Sequence, residues 1–158
     1  MSLQSLLDQY EADADHLARV VAEVTQEESL LHPIPDTWSI LEVVCHLADY
    51  ETIYSDRMKR VLAEDNPTLP AALPEDFSSA LHYQERDLAE ELAVIAAVRR
   101  QTGRLLRAID LEQYQRTGVH TEDGPVTLET LLERIVIHIP HHLSFIEAKI
   151  AAIRSSAS

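Results

Sequence analysis

Leu3, Leu6, Leu7, Tyr10, Ala14, Leu17, Val21 and Val24 recur at spacings of three and four. That period gathers apolar side chains into one stripe of an α-helix and predicts a first amphipathic helix over residues 3–28. The segment Leu31-His32-Pro33-Ile34-Pro35-Asp36 ends the pattern, because proline fixes its own φ and restricts the residue before it. Ser39 and Glu42 have the spacing of a capping box, so a second helix starts there and runs to about Ala63. Trp38, just before the cap, is placed to pack on Val43 as a hydrophobic staple. Asn66 to Pro74 holds three prolines and reads as a crossover of about a dozen residues. Extended at ~3.3 Å per residue, it reaches ~40 Å, enough to pass a 24-residue helix of ~36 Å, so the second and third helices can run parallel.

The helical period resumes through Leu81, Leu88, Leu92, Ile95, Val98, Leu105, Leu106 and Ile109. It predicts that Phe77 to Ile109 is the longest helix, weakened only at Gly103. Residues 110–126, with Gly118, Gly124 and Pro125, read as a polar loop. Thr127 then caps a fourth helix carrying Leu128, Leu131, Leu132, Ile135, Val136, Leu143, Ile146 and Ile150, with Glu129 near its positive end. Four long amphipathic segments, no strand-like alternation and three glycines predict an all-α four-helix bundle, one domain over residues 1–158.

Charge narrows the partners. The 27 acidic residues against 13 basic ones give a net charge of −14, which repels phosphate backbones and anionic bilayers and argues against nucleic acid and membrane partners. Arg99, Arg100, Arg104 and Arg107 read as the solvated side of the third helix. No apolar run approaches the ~20 residues that cross a bilayer, and the first residues lack the basic-then-apolar pattern of a secretory signal. With a single cysteine, Cys45, there is no internal disulfide framework, and a cytoplasmic protein is expected. Cys45 itself reads as a small buried residue. Gly118 and Gly124 match no phosphate-binding loop.

The chemistry lies in the histidines. His138 and His142 are four apart on a predicted helix, one turn above each other, so two imidazoles can aim at one point. His46, two turns into the second helix on the general face of Val43 and Ile53, supplies a third candidate ligand. Three histidines with an open position suit Zn²⁺ or another borderline divalent ion. His141 competes with His142, since residues three apart also share a face. Pro140 removes a backbone N–H from the turn between the pair, leaves the Val136 carbonyl without its usual partner, and predicts a local kink. Glu42 and Asp49 flank His46 as candidate carboxylate partners for an imidazole N–H, each more readily explained as an ordinary surface acid. His120 reads as a solvated loop residue ahead of helix four, and His16, His32 and His82 have no supporting context.

Trp38-Ser39-Ile40 followed by His46-Leu47-Ala48-Asp49, with the later run from His138 to Lys149, resembles the DinB and YfiT-like family across nearly the whole chain. The family's histidine in helix two and its HxxxH pair in helix four fall here on His46, His138 and His142, a register that favours His142 over His141. The resemblance implies a four-helix bundle with a divalent metal, commonly zinc or nickel, in an open three-histidine site, and a homodimer. It also implies a small-molecule substrate, with a low-molecular-weight thiol and S-transfer slightly ahead of hydrolysis. The alternative is a catalytically silent bundle, with a structural metal or a role through a protein partner in stress. An open three-ligand shell favours chemistry over that alternative.

Overall fold

Ser2 starts α1 (Leu3–Val20) by accepting a hydrogen bond from the backbone N–H of Ser5. The computed structural model describes residues 1–156. α1 is shorter than the apolar period predicts, because Thr25 and Glu28 form a capping box of their own and begin a separate turn, α2 (Gln26–Ser29). These local side-chain bonds compete with continuation of the first helix. α3 (Ile40–Ala63) begins at the expected box: Ser39 Oγ accepts from Glu42 N at 3.1 Å, and the Glu42 carboxylate accepts from Ser39 N at 2.7 Å. Trp38 packs against the core cluster that contains Val43. At the far end of α3 the Arg116 guanidinium donates to the carbonyls of Val61 and Glu64, satisfying groups that a helix C-terminus leaves open.

The connection after α3 carries β1 (Thr68–Leu69) and α4 (Pro74–Ala80), and α5 (Leu88–Arg107) follows. The segment predicted as one helix from Phe77 to Ile109 is therefore broken, and α3, not α5, is the longest helix. The break has two causes: His82 takes a left-handed conformation at φ 48°, and Asp87 caps α5 by accepting from Glu90 N at 2.9 Å.

The expected polar loop is also more ordered than its composition implies. It folds into β2 (Thr117–His120) and β3 (Gly124–Thr127), an antiparallel hairpin whose β2 edge pairs in parallel with β1. Gly118 permits this pairing, since a Cβ there would stand 2.9 Å from Leu69 Cδ1 and 3.1 Å from the Pro67 carbonyl oxygen. Gly118→Val is expected to cost about 1–3 kcal/mol through that overpacking. A denaturation midpoint equal to that of the unsubstituted chain would contradict the close approach.

Thr127 caps α6 (Leu128–Val136) through Thr130 N, as predicted. The helical run then breaks at Ile137 and restarts as α7 (His138–Ser156). Pro140 falls in the first turn of α7, where a missing N–H costs nothing, so the expected kink takes the form of a helix junction.

Contacts between elements give the topology. Glu51 meets Arg99 and Ser55 meets Thr102, with numbers rising together, so α3 and α5 run parallel. Asp8 meets Arg107 while the Tyr10 carbonyl meets Arg99, so α1 is antiparallel to α5. Pairing of His46 with His138, and of Thr37 with Lys149, makes α7 antiparallel to α3. α1 and α3 each pack on both α5 and the α6–α7 pair, which closes a four-helix bundle. Its core falls into two apolar clusters, one around Leu17, Val44, Ile95 and Ile146, the other around Leu7, Met58, Leu106 and Leu132.

A polar layer in the bundle involves Glu51, Ser55, Arg99 and Thr102, all buried. Arg99 corrects the expectation of a solvated arginine row: it is 1% exposed and turned inward, donating to Glu51 through Nε and Nη2, to the Tyr10 carbonyl and to the Ile135 carbonyl. Among the described residues no helix is long and apolar enough to cross a membrane.

Candidate metal centre

α3 and α7 face each other near the start of α7, and the three predicted histidines meet there. One ring nitrogen each from His46, His138 and His142 lies within 4.8 Å of the other two. Ring centroids are 4.8 Å apart for His46 and His138, 4.9 Å for His46 and His142, and 4.9 Å for His138 and His142, a near-equilateral triangle. His46 Nε2 and His138 Nε2 approach to 3.0 Å. His46 is buried and the other two are half-buried.

Local structure explains the convergence. The capping box fixes where α3 begins and hence which turn carries His46. The junction at Ile137 makes His138 the first residue of α7, with His142 one turn further on the same face. His141 is exposed and lies outside the cluster, its ring edge-on to His142 at 5.0 Å and to Phe145 at 5.4 Å. Tyr50, one turn after His46, was not singled out by the sequence pattern, although its spacing of four from a candidate ligand is a usable signal. Its ring is 4.4 Å from His46 and 5.4 Å from His138, and its hydroxyl donates to the Ala72 carbonyl at 2.8 Å. Trp38 flanks His46 at 5.2 Å.

The carboxylates that flank His46 in sequence are engaged elsewhere. Glu42 serves the capping box and sits 3.6 Å from His32 Nε2. Asp49 accepts from Tyr83 Oη at 2.7 Å and from Arg86 Nη1 at 3.1 Å. His46 Nδ1 and His138 Nδ1 are both buried without a hydrogen-bond partner among the described residues. His120 is not the solvated loop residue expected: it is buried on β2, with Nδ1 accepting from the backbone N–H of Asp123, and it does not join the triangle. His16 and His82 are exposed. Cys45 is buried as expected, its thiol donating to the Tyr83 carbonyl and pushed up to about 12 by burial.

Burial also sets the charge of the three imidazoles. It pulls His46 down to about 4, His138 to about 3 with help from the neighbouring His46 and His142, and His142 to about 4. At neutral pH all three are uncharged, the form in which imidazole offers a lone pair to a cation. Three neutral imidazoles converging on one point form a donor set that fits a borderline divalent ion, and they leave room for an exchangeable ligand.

The same shifts carry a prediction for the metal-free protein. In the unfolded chain these histidines take up protons near pH 6.5, and in the folded chain only near 4 and 3. Between those limits the unfolded state binds more protons, so stability rises with pH and is lost as the pH falls. The denaturation midpoint of the metal-free chain is expected to drop between pH 7 and pH 5. A chain with all three replaced by leucine is expected to lose that share of the pH dependence, and equal slopes in the two proteins would contradict it.

Known proteins share this arrangement of helices. YfiT from Bacillus subtilis, described as a probable metal-dependent hydrolase with an unusual four-helix bundle topology, superposes with a TM-score of 0.85 at 24% identity, covering 94% of this chain and 87% of that one. A mycothiol-dependent maleylpyruvate isomerase superposes with a TM-score of 0.73 at 12% identity, over 91% of this chain and 60% of the isomerase. Both are likenesses of fold. In sequence, a candidate metal-dependent hydrolase of Oceanobacillus iheyensis is 25% identical over 154 residues, covering 96% of this chain and 86% of the relative. The B. subtilis YfiT sequence is 29% identical over 126 residues, covering 78% and 71% respectively. The model of the DinB superfamily matches residues 9–146, a span that takes in α3 and all three histidines, and the chain belongs to that superfamily.

Proposed function

We propose that His46, His138 and His142 hold one divalent metal ion, zinc or nickel, and that the chain is a metal-dependent enzyme acting on a small molecule. The observation that carries the reading is the triangle itself: three neutral imidazoles from two helices, one buried and two half-buried. When bound, such an ion supplies Lewis acidity and lowers the pKa of a nucleophile at its open position. The chain's own residues do the rest. The histidines fix where the reacting atoms meet, Trp38 and Tyr50 wall off His46 from bulk water, and Phe145, 48% exposed beside His142, offers an apolar edge at the mouth.

Two nucleophiles fit. Water gives a hydrolase, the activity named for the relatives in Oceanobacillus iheyensis and Bacillus subtilis. A low-molecular-weight thiol gives an S-transferase, a reading supported by the fold shared with a mycothiol-dependent isomerase. The test is turnover by protein stripped of metal and reloaded with Zn²⁺ or Ni²⁺. One arm offers activated esters, and the other a panel of cellular thiols with a chloro-nitroaromatic electrophile. Metal-dependent turnover in either arm, absent in His138→Ala, is the expected result and names the nucleophile. Turnover at background in both arms would overturn the enzyme reading and favour a bundle with a structural metal.

A further inference from the structure

Arg57 is a buried cation that the three-histidine triangle does not use, as are Arg99, which is paired with Glu51, and Lys149, which donates to the Thr37 hydroxyl. Arg57 lies on the same face of α3 as His46, eleven residues and about three turns further along. The residue is 4% exposed. Its guanidinium donates through Nη2 to the Pro70 carbonyl at 2.6 Å and lies over the Tyr54 ring at 5.0 Å, while Nε has no partner. Both partners are neutral. Among the described residues it forms no ion pair, whereas Arg60, Arg86, Arg99, Arg107 and Arg134 each meet a carboxylate. In a chain with 27 acidic residues and 13 basic ones, a buried guanidinium without a counter-charge is unusual, because an uncompensated buried charge is costly.

The guanidinium borders a cleft of about 360 Å³ between α3 and the segment leading into α4, lined also by Thr52, Asp56, Ala71, Ala72 and Phe77. Two of the carboxylates nearby are committed, Asp56 to Arg60 at 2.7 Å and Asp123, near enough to feel the charge of Arg57, to Arg134 at 2.6 Å, while Glu75, near Tyr50, is exposed to solvent. Tyr50 connects this cleft to the histidines. Its hydroxyl bonds Ala72, its ring is 6.4 Å from Phe77, and its other neighbours are His46 and His138. The rise of α3 separates Arg57 from His46 by ~16 Å, and since both side chains lean toward the helix N-terminus, the longer arginine closes only a few ångströms of it, leaving on the order of 13 Å.

We propose that this cleft is the recognition half of the site, in which Arg57 binds the anionic end of a small substrate, a carboxylate or phosphate, while its reacting group reaches the histidines past Tyr50. A contact at each end takes up a few ångströms, so the substrate class is a small anion whose charged group and reacting atom lie roughly 10 Å apart. The second half of this assignment rests on the proposed metal site, whereas the first does not.

Metal-free protein separates the two. Hexanoate and inorganic phosphate are titrated in turn while the Arg57 Nε–H resonance is followed by ¹⁵N–¹H NMR, with affinities taken from the shifts of neighbouring backbone amides. The resonance is expected to move on addition of at least one anion; preference for hexanoate assigns a carboxylate, and preference for phosphate assigns a phosphate. Arg57→Gln is expected to weaken binding about tenfold or more. Ala71→Leu, which narrows the cleft and leaves Arg57 in place, is expected to do the same, and it decides the matter if Arg57→Gln does not fold. His138→Ala is expected to keep the anion affinity, so a failed metal site leaves this result standing. An unmoved resonance at tens of millimolar of both anions, or unchanged affinity in Ala71→Leu, would overturn the proposal.

Discussion

If the proposed site holds its ion, replacing His138 by alanine is expected to remove it, taking the ion content after dialysis from about one per chain to a small fraction of that. Among the described residues the triangle has three corners and no spare donor: Glu42 and Asp49 are engaged in other contacts, and His141 lies outside the cluster. Loss of an outer-shell partner already costs about 10–100-fold in metal affinity, so loss of a direct ligand is expected to exceed 100-fold. His142→Ala should match it, and His141→Ala should keep the metal. Elemental analysis of the three proteins, expressed and dialysed alike, checks the assignment. Equal metal content in wild type and His138→Ala would remove the site. Loss in His141→Ala with retention in His142→Ala would move the third ligand by one residue.

Glu51→Ala is expected to destabilise the bundle by about 3–5 kcal/mol, the range for removing one partner of a buried ion pair. Glu51 is fully buried and takes two donors from Arg99, so its loss leaves a guanidinium that is 1% exposed with two carbonyls and Asp13 at 3.9 Å. Arg107→Ala is the control. Its pairs with Asp8 and Glu11 are exposed, and an exposed ion pair is worth less than about 1 kcal/mol. Urea denaturation of both variants reads the difference, and similar midpoints would show that the inner pair carries no special weight. Arg99 also holds the Ile135 carbonyl, two residues before the junction that starts α7. Glu51→Ala is therefore expected to loosen the proposed metal site from a distance, seen as weaker metal affinity under conditions where the variant is still folded.

The histidine triangle was legible in sequence because its spacing and its capping signals agree. A pair four apart and a histidine two turns past a Ser39–Glu42 box leave few choices of face. The parallel course of α3 and α5 was legible from three prolines and a length. Arg99 was not, although it stands four residues after buried Ile95 and so on the inner face. Its charge outweighed its position, and its partner Glu51 is four residues after Leu47 on another helix. Short strands hide for a different reason. β1 has two residues and becomes a strand only by pairing with β2, 51 residues further along the chain, while β3, in a local hairpin with β2, includes Gly124 and Pro125, too little for alternation to register. The Thr25–Glu28 box was visible but lay inside an apolar period that continued through it, and local hydrogen bonding won.

The parallel course of α3 and α5 makes the connection between them a strut of fixed minimum length. The chain must travel back along a 24-residue helix before α5 can start, so residues 64–87 can take up insertions far more readily than deletions. A shortened connection would pull α5 toward the opposite direction and take Arg99 from Glu51. Homologous chains are therefore expected to differ in this segment by added loops and to share its lower limit, because the direction of a helix, unlike its sequence, has no intermediate value.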